Sequence, residues 1–422
     1  MQTRYIAHIT IQALTPLKVG SSNKDFMQDA PVQRDWNGLP MILGTSIAGV
    51  LRKEFDTAAA EEIFGKEKGS KVIFSNALLL DENNRVHEAL LLEKSDFLKI
   101  FDNLPLREHT AITDKGVARD KSKFDEEVVF KGSRFRFSIE MLEDKEAFEQ
   151  LLAYIQSPTF RLGGGTTKGF GKFKIETIET STVDTLDKLE NYSSSLNDFK
   201  GETVTVVPKA HPDYTTYTLR IKPDDFFMFG SGFGDEDADM TPVYEKVINA
   251  EYNGLTEKQI LVPASSVKGA LSHRTAYHYN RYLLERGEDH TKTGEENAAV
   301  KAVFGHKKEQ DEANNELGQK GKILIGDCFQ TDTAQTKVFD HVAIDRFTGG
   351  ALDGALFQEK TVADNRTYEL ELLLRNDVEE EYRNAFELAI RDITTGMLPL
   401  GYGTTKGHGV FTGELLKNGE LV

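Results

Sequence analysis

The chain repeats itself, and that constrains its fold more than any other feature. Leu162-Gly163-Gly164-Gly165-Thr166-Thr167-Lys168-Gly169-Phe170-Gly171 returns as Leu400-Gly401-Tyr402-Gly403-Thr404-Thr405-Lys406-Gly407-His408-Gly409. Each copy follows an amphipathic, helix-like stretch (Ala147 to Ile155, Tyr382 to Met397) and runs into a strand-like one, from Lys172 or Val410. Further matches fall in the same order. Gly44-Thr45-Ser46-Ile47-Ala48-Gly49 answers to Ala264-Ser265-Ser266-Val267-Lys268-Gly269, and Phe64-Gly65 to Phe304-Gly305. His109-Thr110-Ala111-Ile112 answers to His341-Val342-Ala343-Ile344. Collinear matches at this many places define two related units. The expected division is 1–180, a Ser/Thr-rich connector at 181–214, and 215–422 with a polar insertion at about 287–321.

Within each unit the order is strand, helix, strand, a long irregular loop, strand, helix, glycine loop, strand. This lacks the regular βαβα cadence of a doubly wound sheet, so an α+β fold with antiparallel strands fits better. The βαββαβ ferredoxin-like unit is the simplest candidate.

Composition removes several classes. One cysteine, Cys328, in 422 residues leaves no disulfide framework and no Cys-rich zinc module. The N-terminal residues lack a signal peptide's apolar core, and no apolar run approaches the roughly 20 residues of a membrane helix. A cytoplasmic protein with no membrane partner is the expectation. The net charge of −17 argues against a free-standing, sequence-blind binder of nucleic acid. His-Glu-x-x-His, Gly-x-Ser-x-Gly, Walker and Rossmann patterns are all missing from the sequence.

The glycine loops are the first candidate site. Gly163, Gly164, Gly165 and Gly403 let backbone approach a ligand, Thr166 and Thr404 add hydroxyls, and Lys168 and Lys406 add cations. A tight turn needing glycine sterically is the competing reading; two copies of Thr-Thr-Lys-Gly favour ligand contact. Thr45, Ser46, Ser265 and Ser266 read as helix N-caps, at helix starts that also attract anions. Arg52 and Lys268 lie just inside those helices. Two anion-seeking features per unit suggest an extended polyanion. His109 and His341 read as core or turn residues.

Taken together, these motifs resemble a known family. The run from Leu14 through Gly20-Ser21, Asp29-Ala30-Pro31-Val32, Asn37-Gly38, Gly44-Thr45-Ser46 and the Gly163 loop is similar to the RAMP superfamily of CRISPR-associated proteins. More narrowly, with Val342-Ala343-Ile344-Asp345-Arg346 and the Leu356-Phe357 pair, it resembles the backbone subunit lining the guide RNA in type III effector complexes. The resemblance implies two tandem ferredoxin-like (RRM-like) RAMP domains with thumb insertions, at Arg107 to Lys131 and Phe339 to Lys360. It implies guide CRISPR RNA, complementary target RNA and other effector subunits as partners. Asp29 takes the place of the family's target-cleaving Asp, with a divalent metal, Mg or Mn, as cofactor. Asp239 is the nearest equivalent in the second unit. Implied RNA contacts are Ser21, Arg346, His408 and the loop and helix-start residues named above. The family's Ser-Ser-x-Lys-Gly-x-x-Arg run is split: the first unit has Arg52 but Ala48 at the Lys place, the second Lys268 but Ser272 at the Arg place. Two alternatives remain open at this level: a non-catalytic RNA scaffold, and a RAMP endonuclease processing the CRISPR transcript.

Overall fold

The computed structural model describes residues 2–20, 31–67, 69–113, 117–207, 210–249, 251, 253–306, 318–330 and 334–422. The repeat is a structural one. In the first unit Arg4–Ala13, Ala77–Leu79, Arg134–Leu142 and Phe173–Val183 are the four successive core strands. They lie in the spatial order second, third, first, fourth, all neighbours antiparallel. Ile323–Ile325, Tyr368–Arg375, Tyr214–Pro223 and Phe411–Lys417 give the second unit the same order. This is the ferredoxin-like α+β arrangement.

Period-two patterning explains the strands. Along Arg134–Leu142, Phe135, Phe137, Ile139 and Met141 are fully buried while Arg134, Arg136, Ser138 and Glu140 turn the other way. Helix Lys145–Ile155, capped by the Asp144 carboxylate, lays Phe148, Leu151, Leu152 and Ile155 on that face. Helix Glu380–Thr394 does the same in the second unit with Phe386, Ala389, Ile390 and Ile393. Burying each large apolar side chain of this kind contributes about 1.5–3 kcal/mol. Within the polar insertion, helix Ala298–Phe304 also joins the second core through Val300 and Val303.

The segment between the units is part of the first sheet. Strand Glu202–Val204 pairs with Phe173–Val183, and the residues before it cross the outer sheet face. There Leu196 is buried, Phe199 stacks on His8 at 3.9 Å, and Arg136 donates to the Leu196 carbonyl. Burial, with Arg136 nearby, lowers the His8 pKa to about 4. The face on which RRM-type sheets stack bases is therefore covered in this unit.

Two long hairpins leave the body between the second and third core strands. The first joins Leu106–Ile112 to Ala118–Glu127, the second Thr336–Ile344 to Ala351–Val362. Both coincide with the expected thumb segments. The second exposes an apolar stripe, Val342, Ile344, Leu352 and Leu356, with Phe347 fully exposed at its tip beside Arg346.

Candidate nucleic-acid interface

The helix starts depart from expectation. Neither Thr45, Ser46, Ser265 nor Ser266 is an N-cap: the helices begin at Gly44 and Ala264, after Leu43 and Pro263, with no side-chain cap. A residue in the link just after a later strand supplies the missing acceptor. Asn76 Oδ1 accepts the Gly44 amide at 2.9 Å, and Asp327 Oδ1 accepts the Ala264 amide at 2.8 Å. An amide in one unit thus stands where a carboxylate stands in the other.

That carboxylate organises a seam between the units. Arg107, at the base of the first hairpin, donates to Asp327 Oδ2 at 2.6 Å and through Nε to Glu245 at 2.7 Å, while its guanidinium lies 4.8 Å from the Phe170 ring. Burial works against the Arg107 charge, but Asp327 and Glu245 outweigh it and raise its pKa. Gly169 bridges to Gly326, at φ +113°, where a Cβ would lie 2.2 Å from Asp327 Oδ1 and 2.9 Å from the Ala264 Cβ. Only glycine fits there. Arg161, buried, donates to the Ile325 carbonyl at 2.6 Å and the Thr166 carbonyl at 3.2 Å. Lys172 pairs with Glu371 at 2.7 Å. The first glycine loop is thereby clamped against the start of the second unit's long helix.

The clamp brings two lysines together. Lys268, on helix Ala264–Glu285, donates to the Thr167 hydroxyl at 3.3 Å. Burial first, and Lys168 second, push its pKa down to about 8. Lys168 lies 5.4 Å from the Phe124 ring, and among the described residues no carboxylate pairs with either ammonium. Two neighbouring half-buried cations with no counter-ion are electrostatically costly, and an anion would relieve that cost. Small residues, a threonine hydroxyl and two ammonium groups at one seam are the chemistry of a phosphate site.

A pH dependence follows with a definite sign. A lysine whose pKa is depressed loses its charge as pH rises through about 8, against the ordinary 10.5. Affinity for an oligonucleotide should therefore begin to fall near pH 8, and Lys268→Ala should abolish that early limb. A titration flat until the ordinary lysine range would contradict it.

The other expected contacts are dispersed. Thr166 is buried, so Thr167, not singled out from the sequence, is the hydroxyl at the seam. Gly163 packs on the Lys18 carbonyl, where a Cβ would come within 2.3 Å, and Gly165 packs on Phe170. Gly163 thus serves the loop's docking on the first strand's end, and Gly165 the loop's own turn. Arg52 donates to the Gly65 carbonyl at 3.1 Å, at the far end of its helix from Thr45 and Ser46. Arg346 is exposed at the second hairpin tip. In the second loop, half-buried His408 packs near Phe226 and Phe339. Gly403 is left-handed beside it, Thr404 opens a short 3-10 turn, and Lys406 pairs with Glu359 at 2.9 Å. Asp239 is exposed and its Oδ2 accepts the Gln358 amide at 2.8 Å, while Asp235 and Asp237 both hold Lys360. Ser21 and Asp29 lie outside the described residues. No three His, Cys, Asp or Glu side chains among the described residues converge as metal ligands.

The geometry agrees with what comparison with known proteins finds. The chain matches the RAMP superfamily twice, over residues 10–174 and 249–412, and it belongs to that family. One match falls within each ferredoxin-like unit, the second beginning after that unit's first strand, Tyr214–Pro223, so the chain is a tandem RAMP protein. A solved chain from "Cryo-EM structure of the Type III-B Cmr-beta bound to cognate target RNA" is similar at 18% identity and a TM-score of 0.32. That alignment covers 42% of this chain and 61% of the other. No curated protein matches. No helix among the described residues is long and apolar enough to cross a membrane.

Proposed function

We propose that the protein is a backbone subunit of a type III CRISPR effector complex, holding guide RNA through phosphates at the seam between its two units. The observation that carries this reading is the Lys168–Lys268 pair, two cations with no carboxylate partner among the described residues, brought together by the clamped glycine loop. Membership of the RAMP superfamily and the motif resemblance to the guide-lining subunit support it. The partners are guide CRISPR RNA, complementary target RNA and neighbouring effector subunits. The exposed hairpins act as the thumbs that separate guide from target, with Phe347 as the apolar wedge and Arg346 beside it for phosphate.

Target cleavage belongs to Asp29. The described residues flanking its segment, Gly20 and Val32, bridge each other, and the Val32 amide donates to Glu127 at the hairpin base. Those flanks stand beside the hairpin read as the thumb that displaces the target. A carboxylate there orients the 2′-hydroxyl of a displaced nucleotide toward its phosphodiester, or takes its proton. The divalent metal expected with it finds no ligand set among the described residues, so no step is assigned to it. Asp239, exposed and accepting the Gln358 amide through Oδ2, is the counterpart in the second unit, which is the less active of the two.

Asp29→Ala is expected to abolish cutting of complementary RNA by the assembled complex while guide retention stays unchanged. The measurement is the pattern of target fragments. Unchanged cut sites would leave an RNA scaffold without catalysis. Cleavage of repeat RNA by the isolated protein would instead revive the transcript-processing alternative.

A further inference from the structure

The two glycine loops carry the same Thr-Thr-Lys-Gly motif, yet their lysines have different electrostatic surroundings. Each loop sits over a hairpin base built on one plan. His109 stacks on Phe124 at 5.1 Å in the first unit, and His341 on Phe357 at 5.0 Å in the second. Beneath each histidine lies a buried glutamate, Glu126 at 3.4 Å and Glu359 at 3.0 Å. Each loop lysine lies 5.4 Å from the ring of its hairpin phenylalanine.

The difference comes from one residue before each loop's docking point. Leu17 and Phe227 make the same bridge, to Val129 and Val362, so Lys18 and Met228 occupy equivalent places. Their carbonyls receive equivalent loop amides, from Gly164 and Tyr402, both at 2.7 Å. Lys18 reaches down and pairs with Glu126. Met228 cannot, and Glu359 takes its cation from the loop instead, Lys406 at 2.9 Å. Tyr402, which replaces Gly164, lies with its ring 5.3 Å from the Lys406 ammonium.

We infer that the residue at position 18 or 228 decides whether a glycine-loop lysine is available to an external anion. Lys18 neutralises the buried glutamate and leaves Lys168 free, whereas Met228 leaves Glu359 to consume Lys406. Although the sequence offers two equivalent loops, only the first presents a cation without a carboxylate partner among the described residues, and that loop is the one clamped at the seam. Lys18 is accordingly a positioning residue that acts through Glu126. The inference rests on the reading of the loop lysines as phosphate ligands, but its first test does not use RNA.

The test is competitive acylation of lysine amines on the full chain, read peptide by peptide by mass spectrometry across alkaline pH. Lys406, held as ammonium by Glu359, should label several-fold more slowly than Lys168. Glu359→Gln should release it and raise its labelling several-fold. Met228→Lys should act in the same direction, and Lys18→Met should slow Lys168. Equal labelling of the two lysines in the unaltered chain, or a Lys406 rate unmoved in Glu359→Gln, would overturn the inference. Circular dichroism checks that each variant is folded, and Glu359→Gln serves where the buried lysine of Met228→Lys disrupts the loop. As a second readout, Glu359→Gln should add one phosphate contact, steepening the salt dependence of single-stranded RNA binding by about 0.7 in log K against log salt. Released labelling with an unchanged salt slope would uphold the lysine partition and refute the phosphate reading.

Discussion

Arg107→Ala should uncouple the two units and cost about 3–5 kcal/mol of stability. The side chain is buried and satisfies two carboxylates at once, Asp327 and Glu245. Its removal leaves both without a cation, and it also removes the contact with the Phe170 ring that supports the first glycine loop. Burial already raises the Glu245 pKa despite the arginine, so the pair has little solvent to fall back on. The loss should appear as an earlier unfolding transition and as new proteolytic cleavage near the seam. Pairing the substitution with neutral partners (Arg107→Met, Glu245→Gln, Asp327→Asn) should recover much of the stability, because uncompensated charge is the larger part of the penalty. A single Arg107→Ala change that leaves the transition in place would mean that the seam contributes little.

The second large effect concerns RNA. Reversing both seam cations, Lys168→Glu with Lys268→Glu, should remove two phosphate contacts and set two negative charges in their place. For single-stranded RNA the slope of log K against log salt should become shallower by about 1.4, at about 0.7 per phosphate. The loss should be similar across RNA sequences, since phosphate contacts carry no sequence information. Fold stability should change little, because the unaltered protein already bears the strain of two like charges at this place. Isothermal binding at several salt concentrations measures the slope.

Much of the architecture is legible in the sequence. The repeated glycine loop and its collinear companions announce two units, and alternation such as that of Phe135 to Met141 announces strands. Even the hairpins carry residues the repeat marks, His109 and His341, within their first strands. The site is only half legible, and the reasons are physical. The sequence assigns a helix start and a glycine loop to each unit, but the contacts that make the proposed phosphate site join the loop of one to the helix of the other. Lys168 and Lys268 are a hundred positions apart in the chain, and local patterning carries no signal for their approach. The serines and threonines at the helix starts suggest caps, yet the chain enters each helix one residue earlier and takes its acceptor from the link just after a later strand. Once the units are aligned, two signals do stand in the sequence. Asp327 replaces Asn76, and Met228 replaces Lys18.

The same contrast reconciles a net charge of −17 with the proposed nucleic acid partner. Long-range attraction has the wrong sign, so binding depends on a few cations held without counter-ions at a built place. Random RNA should be held weakly, and a guide only where many such places line up. The most direct measurement is recovery of RNA with the natively isolated complex. The unaltered chain should co-purify with a short guide RNA that crosslinks to the peptides bearing Lys168 and Lys268, and the double charge reversal should lose it. A native complex carrying no RNA, or RNA crosslinked only to surfaces away from the seam, would contradict the account.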